Sequence, residues 1–237
     1  MFLGNEKFKH RLATCALSLA LVCGPVGANE TPEVDPWEGF NRGVFSFNEG
    51  LDRAIVKPLA QGYRYVMPDF AEQGVHNFFE NLGDVKTFIN NLLQGKPKEA
   101  SQDLGRVIVN TTIGIAGLFD VATPMGIPKH DEDFGQTLGA WGVESGPYLV
   151  LPIFGPSSVR DGIGRVPDMM VDPLPQIGDD DTQLGLQVLR VIDTRAQFLD
   201  AERVISGDRY TFIRDAYLQR RQFDVNDGQV EFNSSDF

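Results

Sequence analysis

Cysteine and histidine are scarce in this chain of 237 residues, which has two cysteines and three histidines. Both cysteines lie within the first 28 residues, so the rest of the chain offers no disulfide bond and no thiol nucleophile. Beyond residue 28 the histidines are His76 and His130, whose wide spacing does not indicate a zinc site. The HExxH, GxSxG, P-loop and dinucleotide-binding motifs are also missing. We expect no catalytic residue, no metal ligand and no cofactor, and a hydrolase with an unrecognised carboxylate site is the weaker alternative.

Basic residues are few, because 21 Lys and Arg stand against 33 Asp and Glu, for a formal net charge of −12. Binding to nucleic acid needs clustered Lys and Arg, so nucleic acid is excluded as a partner. The same acidity opposes electrostatic adhesion to an anionic lipid surface. Any contact with a membrane must therefore come from burial of apolar side chains.

A long hydrophobic run is also missing. The apolar segment 107–119 has 13 residues between Arg106 and Asp120, whereas a membrane-spanning helix needs ~20. We predict that this segment ends a helix that starts near Ser101 and packs inside the protein. Gly114 and Gly117 would let a neighbouring helix approach closely.

The first 28 residues are typical of a secretory signal peptide. A basic start precedes a short apolar stretch, residues 12–22, and small residues then allow cleavage between Ala28 and Asn29. Cys23 follows Val22, and such a bulky residue makes a poor lipoprotein cleavage site. We therefore expect an exported chain that is not acylated at Cys23, and an acylated Cys23 is the alternative.

Residues 35–58 predict an aromatic helix at the start of the folded part. We expect Asp35 to be the N-cap, with Glu38 in the first turn, and Pro58 to end the helix. Apolar residues recur there at steps of three and four, which draws one stripe along the helix; they are Trp37, Phe40, Val44, Phe47 and Leu51. Phe45 lies off this stripe. Such a helix is either buried in a core or in contact with lipid.

The remaining pattern predicts a mainly α-helical domain over residues 35–227, between a linker, 29–34, and a polar tail, 228–237. Further helices are expected over 76–94, 182–205 and 210–223, with a loop at 120–134 and a linker at 168–181. No βαβ alternation or series of hairpins is present, and Pro152 excludes a central strand in the apolar stretch 148–154. The acidic run 179–181 indicates a helix start rather than a metal site.

Three stretches resemble the MlaA (VacJ) family of outer-membrane phospholipid-transport proteins. They are DPWEGFNRGVFSFNEGLD from residue 35, FGQTLGAWGVESGPYLVLPIFGPSSVRD from residue 134, and DTRAQFLDAERVISGDRYTFIRDAYLQRR from residue 193. The resemblance implies a ring-like helical domain in the periplasmic leaflet of the outer membrane, with glycine- and proline-rich connections and a short hairpin-like loop. Its amphipathic channel would remove mislocalised phospholipids from the outer leaflet.

The resemblance also implies partners and sites. The partners would be phospholipid, a trimeric outer-membrane porin and a periplasmic lipid-carrier protein. Candidate lipid-contact residues are Phe40, Phe45, Phe47, Phe78 and Phe79. A candidate gating loop contains Leu118, Pro124, Gly126, Pro128 and Phe134. The alternative function is a porin-associated protein that stabilises the envelope without a lipid channel.

Overall fold

The computed structural model describes residues 34–205 and 207–228, which form helices joined by turns and one small hairpin. The predicted signal peptide with Cys23, its cleavage site at Ala28 and Asn29, and the tail beyond residue 228 lie outside the described residues. The helices are α1 (Glu38–Leu51), α2 (Lys57–Val66), α3 (Asp69–Leu93), α4 (Pro97–Thr112), α5 (Phe134–Ala140), α6 (Val159–Val171), α7 (Asp180–Gln197) and α8 (Arg209–Val225). Short 3-10 turns cover Leu174–Gln176 and Ala201–Val204. The predicted mainly helical fold is confirmed.

The first helix does not end at Pro58, contrary to the prediction. A π-helical segment, Asp52–Val56, joins α1 to α2, and Pro58 lies in the first turn of α2. A proline inside a helix lacks one hydrogen-bond donor and crowds the preceding turn. The wider π turn just before Pro58 accommodates both effects, so the chain stays helical as far as Val66.

Asp35 is not the N-cap of α1, because Trp37 occupies that position without a side-chain hydrogen bond. Asp35 is instead buried, at 5% exposure. Its carboxylate accepts hydrogen bonds from Asn41 Nδ2, at 2.7 Å, and from the Tyr210 hydroxyl. A buried carboxylate needs such partners, so its role in joining α1 to α8 replaces a role in capping.

A two-stranded antiparallel hairpin was not predicted. Strand β1 (Tyr148–Leu151) pairs with β2 (Gly155–Ser158), with Tyr148 opposite Ser158. Pro152 directly follows β1 and lies in the turn, where its missing donor disturbs no ladder bond. Asn41 of α1 holds the hairpin, since its side chain donates to Tyr148 O at 3.0 Å and accepts from Val150 N at 2.8 Å.

Several helix boundaries differ from the prediction. Helix α3 starts at Asp69 rather than near residue 76, and α6 continues through Pro167 into the predicted linker. Helix α7 ends at Gln197, and α4 ends at Thr112 rather than at residue 119. A tight turn follows α4, where Gly117 has φ +89° and a Cβ there would lie 2.7 Å from Asn81 of α3. Gly117 therefore permits close approach to a neighbouring helix, as expected, but from a tight turn rather than from within a helix.

The helices pack in a few close pairs. Helix α3 packs on α4, α2 on α7, and α5 on α6, while α8 lies against β2 and α5. The α5–α6 crossing is tight, because a Cβ at Gly164 would lie 2.6 Å from the backbone nitrogen of Gly135. The buried apolar cluster is small and centres on Tyr148, Val150 and Tyr210. This packing brings together residues of the three sequence stretches quoted above, which begin at residues 35, 134 and 193.

Candidate functional site

The interior of this domain is unusually polar. Among the described residues, nine hydrophobic side chains are buried against eighteen polar or charged ones. Large apolar side chains are instead exposed on α1 to α4 and α6 to α8. Examples are Phe40, Phe47, Leu59, Phe70, Ile108, Met170, Val188 and Phe212. Apolar surface on so many elements is typical of a protein that contacts a membrane or an apolar partner.

A cavity of about 640 Å³ lies among α3, α6, α7 and α8. Its wall is amphipathic. The apolar part consists of Phe79, Leu82, Phe154, Met169 and Phe198. The charged part consists of Lys86, Arg165, Arg190 and Arg221 with Glu80, Asp133, Asp161, Asp168, Asp172 and Asp193. This size and mixed lining suit a ligand with both an apolar and a charged part.

The densest charge cluster of the cavity wall surrounds Arg221 of α8. Its guanidinium binds Asp133 at 2.7 and 2.9 Å and Asp161 at 3.0 Å through two nitrogens. Tyr217, one turn earlier, donates to Asp161 at 2.6 Å. Burial alone would raise the pKa of Asp161, but the hydrogen bonds from Arg221 and Tyr217 hold that pKa at about 2. The same guanidinium outweighs burial at Asp133 and lowers the pKa of that carboxyl.

Close approach of the backbone makes this cluster possible. A Cβ at Gly135 would lie 2.5 Å from Asp161 Oδ1 and 2.7 Å from Arg221 Nη2. Asp133 also caps α5, because its carboxylate accepts from Gln136 N at 2.8 Å. The cluster thus joins the loop before α5 to α6 and α8.

Other charged groups of the wall are paired less densely. Arg190 binds Asp172 through both terminal nitrogens, at 2.8 and 2.5 Å. His76 Nδ1 lies 3.1 Å from Asp193 Oδ2, and this hydrogen bond outweighs burial and raises the pKa of the imidazole. Arg165 differs: within residues 34–205 and 207–228 it has no hydrogen bond or ion pair to any side chain or backbone group.

The predicted gating loop is held by a buried arginine of α4. Arg106, at 2% exposure, donates to Thr123 Oγ1 at 2.9 Å and to the Ile127 carbonyl at 3.0 Å. It also lies 3.3 Å from Asp120 and 3.3 Å from Asp84 of α3. One side chain therefore joins the loop to two helices.

The five residues predicted for gating lie before, between and after the loop residues that Arg106 contacts. Leu118, Pro124 and Gly126 are exposed, and Gly126 has φ +79°. Pro128 is exposed as well, whereas Phe134 is half-buried and packs edge-on against Trp141 at 5.8 Å. Phe134 N donates to Asp168 of the cavity wall at 3.1 Å. The loop is thereby connected to the cavity at its C-terminal end.

The five aromatic residues predicted to touch lipid do not form one surface. Phe40 and Phe47 of α1 are each 59% exposed. Phe45 points the other way and packs edge-on against Tyr210 at 5.5 Å. Phe78 is half-buried beside Phe79, which is buried and lines the cavity. The set therefore divides between the outer surface, the core and the cavity.

The geometry offers no metal centre in the part of the chain that the structure describes. His130 Nδ1 lies 2.7 Å from Asp103, whereas His76 lies beside Asp193, so the two histidines have separate carboxylate partners. The acidic run at 179–181 is a helix start, as predicted, because Asp179 accepts from Thr182 N at 3.0 Å.

Reasoning from the sequence missed the charged residues of the cavity wall. Asp161 and Arg221 lie inside the motifs at residues 134–161 and 193–221, but the sequence of these motifs does not indicate that the two residues pair. One signal was present: Tyr217 and Arg221 are four residues apart and share a helix face. Their common partner could be found only with the tertiary structure.

Within the described residues, no helix combines the length and the apolar character needed to cross a membrane.

Comparison with known proteins gives consistent matches. A sequence model of the family described as MlaA lipoprotein matches residues 33–224. The chain is 37% identical over 232 residues to the intermembrane phospholipid transport system lipoprotein MlaA of Shigella flexneri, and equally to that of Escherichia coli (strain K12). Each alignment covers 94% of this chain and 92% of the relative. The protein of the same name from Haemophilus influenzae is 33% identical, with 92% of each chain covered.

A solved structure is similar as well. It comes from work described as "Structural basis for maintenance of bacterial outer membrane lipid asymmetry". It superposes with a TM-score of 0.71 and 36% identity, covering 82% of this chain and all of the other.

Proposed function

Because this chain belongs to the MlaA lipoprotein family, we infer that it is an outer-membrane phospholipid transport protein that maintains the lipid asymmetry of that membrane. The observation that carries this function is the open amphipathic cavity of about 640 Å³ in a domain with exposed apolar faces. A phospholipid has an apolar and a charged part, and the wall of this cavity offers partners to both.

We place the lipid path through this cavity. A phospholipid that is mislocalised in the outer leaflet enters with its head group among the charged side chains and its acyl chains against Phe79, Leu82 and Phe198. Burial of the acyl chains replaces contact with water by contact with apolar groups. No bond of the lipid is made or broken, so the protein supplies a path and performs no catalysis.

Filling the cavity tests this path. Gly83 of α3 lines the cavity, and a Cβ there would meet no atom within 4 Å. Gly83→Phe should therefore fold normally, since Phe suits a helix better than Gly, while its ring occupies the lipid path. We expect cells with this variant as their only copy to expose phospholipid in the outer leaflet to the level of cells without the protein. Labelling of outer-leaflet phospholipid measures the effect.

Gly43→Phe is the matched control. Gly43 lies on the exposed side of α1, also with no atom within 4 Å of an added Cβ, so this variant should transport lipid normally. Normal outer-leaflet composition in cells with Gly83→Phe would contradict a path through the cavity. Normal composition in cells without any copy would instead favour an envelope-stabilising protein without a lipid channel.

The outer aromatic residues of α1 are proposed to contact the lipid of the periplasmic leaflet. Phe47 is well exposed, and Phe47→Asp would place a carboxylate in apolar surroundings at a cost of several kcal/mol. We expect a larger soluble fraction for this variant when membranes are separated by centrifugation. Ser46→Asp, on the preceding residue, introduces the same charge at another exposed position and should leave the distribution unchanged. An unchanged distribution of Phe47→Asp would contradict lipid contact at this face.

Two protein partners complete the proposal. A soluble periplasmic carrier must receive the lipid, because acyl chains do not leave an apolar cavity for water unaided. The second partner, a trimeric outer-membrane porin, is inferred from the resemblance of the sequence motifs. Cross-linking in intact outer membranes, followed by mass spectrometry, identifies both.

A further inference from the structure

One cation and one anion of the cavity wall have no ion-pair partner within 4 Å among the described residues. Arg165 of α6 has no hydrogen bond or ion pair within the described residues, and its guanidinium lies 5.4 Å from the ring centre of Phe154. Among the described residues, Asp168, three residues later on the same helix, accepts hydrogen bonds only from the neutral groups Phe134 N and Asn90 Nδ2, each at 3.1 Å. No described Lys, Arg or His lies within 4 Å of its carboxylate. Both side chains line the cavity.

The other cations of the wall are already matched. Arg221 is bound by two carboxylates, Arg190 by Asp172, and Lys86 lies 4.0 Å from Asp131. Stacking on a ring uses the flat face of a guanidinium and leaves its N–H donors free. Arg165 therefore has unused N–H donors at the cavity wall, and a guanidinium can bind two oxygens of a phosphodiester.

Residues three apart on a helix share one face, so Arg165 and Asp168 place opposite charges on the cavity side of α6 without forming an ion pair with each other. Burial raises the pKa of the Asp168 carboxyl, although its hydrogen bonds and the charge of Lys86 act in the opposite direction, and a cation in direct contact with the carboxylate would lower that pKa. The wall has six carboxylates against four Lys and Arg, so a ligand with a net negative charge is disfavoured.

We propose that Arg165 and Asp168 read the head group of the transported lipid, with Arg165 binding the phosphodiester and Asp168 binding the ammonium of an ethanolamine-type head group. This assignment rests on the proposed function and adds a selectivity to it: zwitterionic phospholipids are taken before anionic ones. In phosphoethanolamine the ammonium is two methylenes from the ester oxygen, so one head group reaches both side chains.

The test is a competition for the purified full chain in detergent. The protein is incubated with equal amounts of phosphatidylethanolamine and phosphatidylglycerol, re-isolated, and its bound lipid is quantified by mass spectrometry. We expect the wild-type protein to retain several-fold more phosphatidylethanolamine. Arg165→Gln should lower the retention of both lipids about tenfold, which corresponds to about 1.4 kcal/mol. Asp168→Asn keeps an oxygen acceptor for Phe134 N and should abolish the preference without lowering phosphatidylglycerol.

Arg53→Gln is the control for the loss of charge, because Arg53 is well exposed and does not line the cavity. It should behave as wild type. Wild-type retention and preference in both Arg165→Gln and Asp168→Asn would overturn this assignment and leave the proposed function intact. A wild-type protein that retains neither lipid would instead contradict the proposed function. Arg165→Lys keeps the charge without the planar fork, and full retention by this variant would overturn the bidentate phosphate contact.

Discussion

Replacing Arg221 by Met should lower the free energy of unfolding by about 3–5 kcal/mol, the typical result of removing one partner of a buried ion pair. The guanidinium is the shared cation of Asp133 and Asp161, so its loss leaves Asp133 without an ion-pair partner among the described residues and Asp161 with Arg160 alone. For a domain of this size each kcal/mol lowers the melting temperature by about 2–4 °C. We expect a fall of roughly 10 °C, measured by circular dichroism of the detergent-solubilised protein.

The neighbouring arginine is the matched control. Arg220 lies on the same helix, its side chain is 68% exposed, and its partner Asp224 is four residues away. Such a surface pair contributes about 0.3–0.5 kcal/mol, so Arg220→Met should change the melting temperature by little. If Arg221→Met and Arg220→Met melt together, the cluster does not hold the fold.

The pH dependence separates charge from packing in this prediction. The folded-state pKa of Asp161 is about 2, below its ordinary value of 3.8, so this group stabilises the wild-type protein above pH 4. That stability is lost as the pH falls from about 4 to about 2. In Arg221→Met the two carboxyls lose their shared cation, so their pKa values rise relative to the wild type, and protonation removes part of the cost. The difference in melting temperature between the variant and the wild type should therefore shrink on acidification, whereas a pure packing defect would keep it constant.

The sequence predicted the helices of this protein better than their orientation. The stripe of α1 at steps of three and four correctly indicated a helix, but Phe40 and Phe47 of that stripe face outward while Phe45, off the stripe, packs on Tyr210. Periodicity identifies an apolar face only when the opposite face meets water. In a protein with apolar surroundings both faces can be apolar, and the pattern no longer tells inside from outside.

The motifs led to the family, and the matches of the whole chain confirm that resemblance. Their spacing could not give the cavity, because its wall combines residues distant in sequence. Asp161 and Arg221 meet only because Gly135 and Gly164 let α5 and α6 approach closely. Asp35 shows the same limit. Local rules made it a helix cap, whereas a tertiary hydrogen bond to Tyr210 decides its position.

Arg106→Met should have a comparable effect on stability, about 3–5 kcal/mol, through a different part of the molecule. Arg106 is the buried cation beside Asp84, and burial already raises the pKa of that carboxyl to about 6. Without the arginine, Asp84 would be left buried without its closest cation. The loop would also lose the hydrogen bonds that Arg106 gives to Thr123 Oγ1 and to the Ile127 carbonyl.

In Arg106→Met the loop should also open locally, in addition to the loss of global stability. Ile115 and Ala116 have φ values of 53° and 57°, a left-handed conformation that costs on the order of 1–3 kcal/mol per residue and persists only where the surroundings enforce it. Asp120, which ties this turn to Arg106 and Asn110, loses its cationic partner in the variant. Hydrogen exchange of the amides of Val121 and Ala122, which are bonded to Asn110 Oδ1 at 2.9 Å in the wild type, should accelerate more than that of α7.

The control is Lys98→Met, which removes one exposed charge from α4, the helix of Arg106, and should change neither measurement. Equal acceleration in α7 and the loop would show that Arg106 supports the fold as a whole and does not specifically hold the predicted gating loop.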